Sequence, residues 1–174
     1  MALSSQSGPG AAAVVEMPFE AYCALRDEQC RIVPEPVDPT FATTRHFTLN
    51  PFQICYLHTH HPKLLLSLQP PPTPTLFESL LEYKVFEHLT LTKRLWLMPG
   101  LKFGADWLAY AEDPLRAHAK YLVKVLGTGR VGWEELAAAE RVANQAKKDL
   151  LLAYHNPDAQ SCDSLAFCKV RFSK

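Results

Sequence analysis

Several things are missing from this chain of 174 residues, and each absence narrows what it can be. It has no net charge, because 18 Lys and Arg stand against 18 Asp and Glu. A chain-wide electrostatic grip on nucleic acid leaves a basic excess, so any contact with a polyanion here falls to a local patch or to other subunits. It has no paired cysteines. The five, Cys23, Cys30, Cys55, Cys162 and Cys168, are odd in number, irregular in spacing and without a CxxC. That supports neither a disulfide framework nor a zinc site, and fits a reducing, intracellular compartment. It has no apolar run able to cross a membrane: KLLLSL falls far short of the roughly 20 residues a spanning helix needs. The first residues, MALSSQSGPGAAAVV, lack the basic and apolar regions of a secretory leader. Residues 1–15 are expected to be a disordered tail. No internal repeat is visible.

What is present suits one ordinary domain with a small region before it. At 48% hydrophobic, the composition allows a sizeable core. Residues 16–69 form the N-terminal region. The stretch 17–31, with the pattern FEAYCALRDEQCRI from Phe19 on, reads as a short helix closed by Pro34, Pro36 and Pro39. Further on, Asn50 caps a second helix that has Pro51 at its first position. QPPPTPT is a stiff linker, placing a boundary at 70–75 and a second domain at 76–174. Thr75 with Glu78 forms a capping box, and Leu76, Phe77, Leu80, Leu81, Val85 and Leu89 make a helical stripe. Strands are expected at 94–98, 102–110, 119–126, 149–155 and 165–172, with a helix at 133–147. The order α-β-β-β-α-β-β suits an α/β domain of α+β type, a mixed β-sheet with helices packed on it. Between the second and third strands, Asp113-Pro114 makes a turn: proline disfavours helix in the residue before it, and aspartate bonds nearby backbone. That turn holds Tyr110 and His118 on neighbouring strand ends. The histidines His58, His60 and His61 lack a second ligand group at zinc spacing, so no metal site is expected.

The run KFGADWLAYAEDPLRAHAKYLV resembles the catalytic core of the tRNA-splicing (tRNA-intron) endonucleases, whose motif is roughly K-[FY]-G-x-D-[FW]-L-x-Y-x-x-D-P-x-x-x-H-[AS]. ERVANQAKKDLLLAY, at 140–154, resembles the family's second block. The resemblance covers residues 76–174 and implies a restriction-endonuclease-like catalytic domain. It implies cleavage of pre-tRNA at intron boundaries by internal transesterification, without metal or other cofactor, leaving 2′,3′-cyclic phosphate and 5′-hydroxyl ends. Three roles follow: a base for the 2′-hydroxyl, an acid for the leaving 5′-oxygen, and a cation for the phosphorane.

By the same resemblance Tyr110 is the base, its phenol lowered by a nearby cation that Lys148 would provide. His118 is the acid, since an imidazole titrates close to neutrality. Lys148 is the phosphate cation, preferred over Lys147 because the family's lysine is followed by one residue and then the apolar strand. Arg141, two helical turns before Lys148, and Arg171 match arginines that stack on a flipped base in archaeal relatives. The resemblance also implies a nuclear protein in a heterotetramer of splicing-endonuclease subunits, with an archaeal-type homo-oligomer as the other assembly. GLKFGAD and the tryptophan-led 133–154 segment look like the subunit that cuts the 5′ splice site; YAEDPLRAHA is closer to the 3′-site subunit, and the first pair is preferred. Two other readings use the same residues. One is a non-catalytic structural or RNA-binding subunit, which has no reason to keep all three reactive side chains. The other is a metal-dependent nuclease, which needs clustered acids of the kind Asp106, Glu112 and Asp113 would have to form.

Overall fold

The computed structural model describes residues 12–37, 46–68, 80–127, 130–156 and 165–171. The chain divides into two compact units, Met1–Ser79 and Leu80–Lys174.

In the first unit, β1 (Ala13–Glu16), β2 (Glu35–Pro36) and β3 (His46–Leu49) form an antiparallel sheet in the order β1-β3-β2. The strand β1 lies partly inside the stretch expected to be a tail. Four short residues suffice because they pair with β3, Val15 opposite Phe47, and Val15 is buried while Val14 is exposed. The helix α1 (Phe19–Leu25) stops well before Arg31. Asp27 takes over the chain there: its carbonyl accepts from the amides of Cys30 and Arg31, and its carboxylate from Gln29. Arg31 leaves in the left-handed region, with φ 56°. Two more helices follow, α2 (Pro51–His60) and α3 (Pro62–Leu68). Asn50 caps α2 as its sequence indicates, and Gln53 completes a reciprocal capping box, with both bonds 2.9 Å. The amide of Gln53 also donates to the buried Val33 carbonyl at 3.0 Å.

The second unit is a mixed sheet with one helix on each face. Its elements are α4 (Leu81–Leu91), β4 (Trp96–Pro99), β5 (Trp107–Tyr110), β6 (Tyr121–Leu126), α5 (Trp133–Gln145), β7 (Asp149–His155) and β8 (Leu165–Val170). The strand order is β4-β5-β6-β7-β8, antiparallel except for the pair β6 and β7, which α5 joins as a crossover. Successive strand residues point to opposite faces. Leu122, Leu126, Leu150 and Leu152 pack with Ala143 of α5 on one face. On the other, Phe86 of α4 meets Trp107, with ring centroids 5.2 Å apart.

Several boundaries differ from the sequence expectation, three of them near the site or the turns that lead to it. The strand expected at 102–110 begins only at Trp107; Leu101–Phe103 is a 3₁₀ turn. Gly104, at φ 66°, and the packed Gly100 bend the backbone out of extension there. The helix α4 gives way before β4 through Arg94, at φ 53°. The helix expected to reach residue 147 ends at Gln145. The Thr75–Glu78 cap and the proline linker lie outside the described residues.

Candidate functional site

Strand register places the sequence-derived candidates. Ala109 pairs with Tyr121 across β5 and β6, and Tyr121 pairs with Asp149 across β6 and β7. One position further out on each strand stand Tyr110, Lys120 and Lys148, all at one end of the sheet. The backbone of Lys120 ties the three together. Its N–H donates to Ala109 at 2.8 Å, and its carbonyl accepts from Asp149 at 3.0 Å. Neighbouring strands lie about 4.8 Å apart, so the backbones at Tyr110 and Lys148 are separated by about 10 Å.

The connection from β5 to β6 brings His118 to the same end. Asp113 opens it, its carboxylate accepting from Leu115 at 2.9 Å and its carbonyl from Arg116 and Ala117 at 2.8 and 3.1 Å. This is the Asp-Pro turn expected from sequence, extended into a single helical turn. His118 follows as an exposed residue, two positions before Lys120, and Ala119 is buried between them.

Lys147 and Lys148 are separated by the end of α5. The amide of Lys147 bonds Asn144 at 3.0 Å, the amide of Lys148 bonds Ala143 at 2.8 Å, and Lys147 has φ 55°. This is a Schellman termination with lysine in the left-handed position glycine usually takes. Lys147 is thereby exposed, while Lys148 is half-buried and enters β7. The Lys148 ammonium donates to the Ala146 carbonyl at 3.3 Å and lies 5.7 Å from the centre of the Phe103 ring. Phe103 was not singled out from sequence as a functional residue, although it is the aromatic position of the K-[FY]-G motif.

Electrostatics at Tyr110 run against expectation. Its phenol is half-buried, and burial pushes it above its ordinary range. Desolvation of the phenolate is the cause, and it opposes the lowering anticipated from a neighbouring lysine.

The arginines are placed differently from each other. Arg141 is exposed on α5 and its Nε donates to Ala137 of its own helix at 3.3 Å. Because α5 ends at Gln145, the two helical turns expected between Arg141 and Lys148 are not completed. Arg171 donates to the Asp149 carboxylate at 2.6 Å, and Lys169 holds its other oxygen at 2.7 Å. Asp149 is a second residue that sequence reading passed over. The only hint was one acid directly after two lysines, facing a KVR segment that closes the chain.

Two of the three acids named for a metal-dependent nuclease, Asp106 and Asp113, are otherwise engaged. The Asp106 carboxylate accepts the Val125 amide at 2.7 Å, and Asp113 caps its own turn. Among the described residues, no three His, Cys, Asp or Glu are grouped to hold a metal ion, and no helix is long and apolar enough to cross a membrane.

The second unit is thus an α/β domain whose mixed sheet carries a tyrosine, a histidine-bearing loop and a lysine at one end. Residues 79–161 match the family model for the tRNA intron endonuclease, catalytic C-terminal domain. Through this stretch, just under half of its length, the chain is similar to the tRNA-splicing endonuclease family. It is similar to human tRNA-splicing endonuclease subunit Sen34, 33% identical over 81 residues, which are 46% of this chain and 26% of that protein. The probable subunit Sen2 of rice is 34% identical over 79 residues, 40% of this chain and 27% of the relative. The tRNA-splicing endonuclease of Methanopyrus kandleri is 35% identical over 65 residues, 36% of each chain. The matched stretch therefore spans between about a quarter and just over a third of these relatives' lengths.

Proposed function

We propose that this chain is a catalytic subunit of a tRNA-splicing endonuclease, cutting pre-tRNA by metal-independent transesterification. The observation that carries the reading is the row Tyr110, Lys120, Lys148 at one sheet end, with His118 on the loop beside it. In this reaction the ribose 2′-oxygen forms a bond to the adjacent phosphorus while the bond to the 5′-oxygen breaks. Tyr110 takes the 2′-hydroxyl proton and His118 gives one to the leaving oxygen. The Lys148 ammonium leaves the Ala146 carbonyl for the phosphorane oxygens, where charge is greatest. Burial keeps the ionised fraction of Tyr110 small, and the phenolate, once formed, is the stronger base for it. Arg141, exposed on α5, is a further contact for RNA.

The relatives named as subunits support assembly with other chains of the same enzyme; a heterotetramer in the nucleus is what the family resemblance implies. The assignment to the 5′ splice site rests on GLKFGAD and the tryptophan-led segment alone. The upward shift of Tyr110 favours a second reading, a non-catalytic subunit on the same fold.

One pair of variants decides between them. In the complex reconstituted with its partner subunits, Lys148→Ala should slow single-turnover cleavage on the order of a hundredfold, with pre-tRNA affinity little changed. Lys147→Ala should leave the rate near wild type. If Lys147→Ala is the variant that stops cleavage, the phosphate cation is the other lysine. If neither slows it, the chain is a non-catalytic subunit.

A further inference from the structure

Asp149 presents a difficulty for any scheme in which Lys148 meets a phosphate. A carboxylate one residue away repels the substrate and competes for the ammonium. Alternation along β7 directs the two side chains to opposite faces, but a charge at about 8 Å is still felt across a strand end. The side chain of Asp149 is 13% exposed beneath its two partners.

The structure answers this with two cations, Lys169 on β8 and Arg171 just past its end. The Lys169 ammonium sits 2.7 Å from one carboxylate oxygen and the Arg171 guanidinium 2.6 Å from the other. Both oxygens are therefore occupied, and one negative charge faces two positive ones. The hydrogen bond from Lys169, reinforced by that from Arg171, holds the carboxyl below its ordinary range. The backbone of Asp149 is fixed as well, through its N–H to Lys120. Among the described residues, Lys148 has a neutral carbonyl and a ring as its contacts rather than a carboxylate.

We propose that Lys169 and Arg171 are positioning residues that neutralise Asp149 and so keep Lys148 available to the scissile phosphate. Arg171 then works through Asp149 and not by gripping RNA, in contrast to the stacking role its sequence position implies. The inference rests on the reading of Lys148 given above.

Rescue separates this from its rivals. The complex carrying Lys169→Met with Arg171→Met should cleave on the order of tenfold more slowly at saturating pre-tRNA, because the bared carboxylate now opposes the phosphate. Adding Asp149→Asn should restore the rate to within about threefold of wild type, since the offending charge is gone. Direct contact of Arg171 with RNA, or a purely mechanical clamp, predicts no recovery, because the triple variant still lacks both cations. A triple variant as slow as the double overturns the proposal, as does a double variant at wild-type speed. Melting temperatures of the two variants, measured in the same complex, guard against misfolding: recovery of rate without recovery of melting temperature favours charge over mechanics. Should Lys148→Ala itself cleave at full rate, the parent reading and this one fall together. Slow Lys148→Ala with an unrescued triple variant removes only this one.

Discussion

The two ends of the five-stranded sheet each hold an engaged aspartate, and the two are used differently. At the end where β5 begins, Asp106 bonds backbone. Its carboxylate accepts from Val125, its N–H reaches Val123, and its carbonyl accepts from Gly100. At the end where β5 finishes, Asp149 bonds side chains, with Lys169 and Arg171 on its two oxygens. A carboxylate on main-chain amides completes a fold, for those donors exist whatever the function. A carboxylate on two exposed cations sets local charge, and nothing in the sheet's hydrogen bonding requires it. The comparison assigns stability to the first end and electrostatics to the second. Exposure agrees: the side chain of Arg171 is 71% exposed and free to be replaced, whereas Gly100 is wedged against main chain.

Three measurements test that division. The largest effect is expected at the structural end. A Cβ on Gly100 would lie 2.7 Å from the Ala105 oxygen and 2.9 Å from the Trp107 backbone, none of which can swing aside. Gly100→Ala should cost about 3 kcal/mol in chemical denaturation. A loss under about 1 kcal/mol would mean that the 100–106 connection is far more yielding than its hydrogen bonds indicate.

A smaller loss belongs to Asp106→Ala, which strips the Val125 amide of its acceptor and should cost about 1 to 2 kcal/mol. Cleavage measured well below the melting transition should be unaffected. A large fall in single-turnover rate with stability intact would put Asp106 in the chemistry and erase the contrast between the ends.

The smallest effect has the opposite sign. Lys147→Gly relieves a left-handed lysine, so it should stabilise the protein by up to about 1 kcal/mol and leave the cleavage rate alone. Destabilisation by this change would show that the Lys147 side chain holds the helix end.

Much of this was legible in sequence because it is local. Asn50 and Gln53 cap α2 through bonds spanning three residues, and Asp113-Pro114 turns the chain through bonds spanning two to four. The alternating run at 121–126 and the apolar run at 149–155 are strands at the expected places. The family's motif spacing also put Tyr110, His118 and Lys148 forward as candidates before any register was known. Misplaced boundaries arose where a distant partner decides. Residues 102–106 alternate like a strand, yet Gly100 and Asp106 fold them against β6. Ala13–Glu16 has the composition of a tail, yet it finds β3 more than thirty residues away.

What the sequence determined by itself, then, is the order of elements in the second unit, the family resemblance and the chemical types of the candidate residues, since propensity, capping and motif spacing act over a few neighbours. Tertiary structure alone decided which charges are paired and which are open. Asp149 and Arg171 lie 22 residues apart and meet because β7 and β8 are antiparallel partners. Lys147 and Lys148 are chemically identical neighbours, and a left-handed turn at one of them sends the first to solvent and the second into the sheet. The pKa of Tyr110 follows the same rule. Its direction is set by how much water the folded chain removes from the phenol, a quantity no run of neighbouring letters contains.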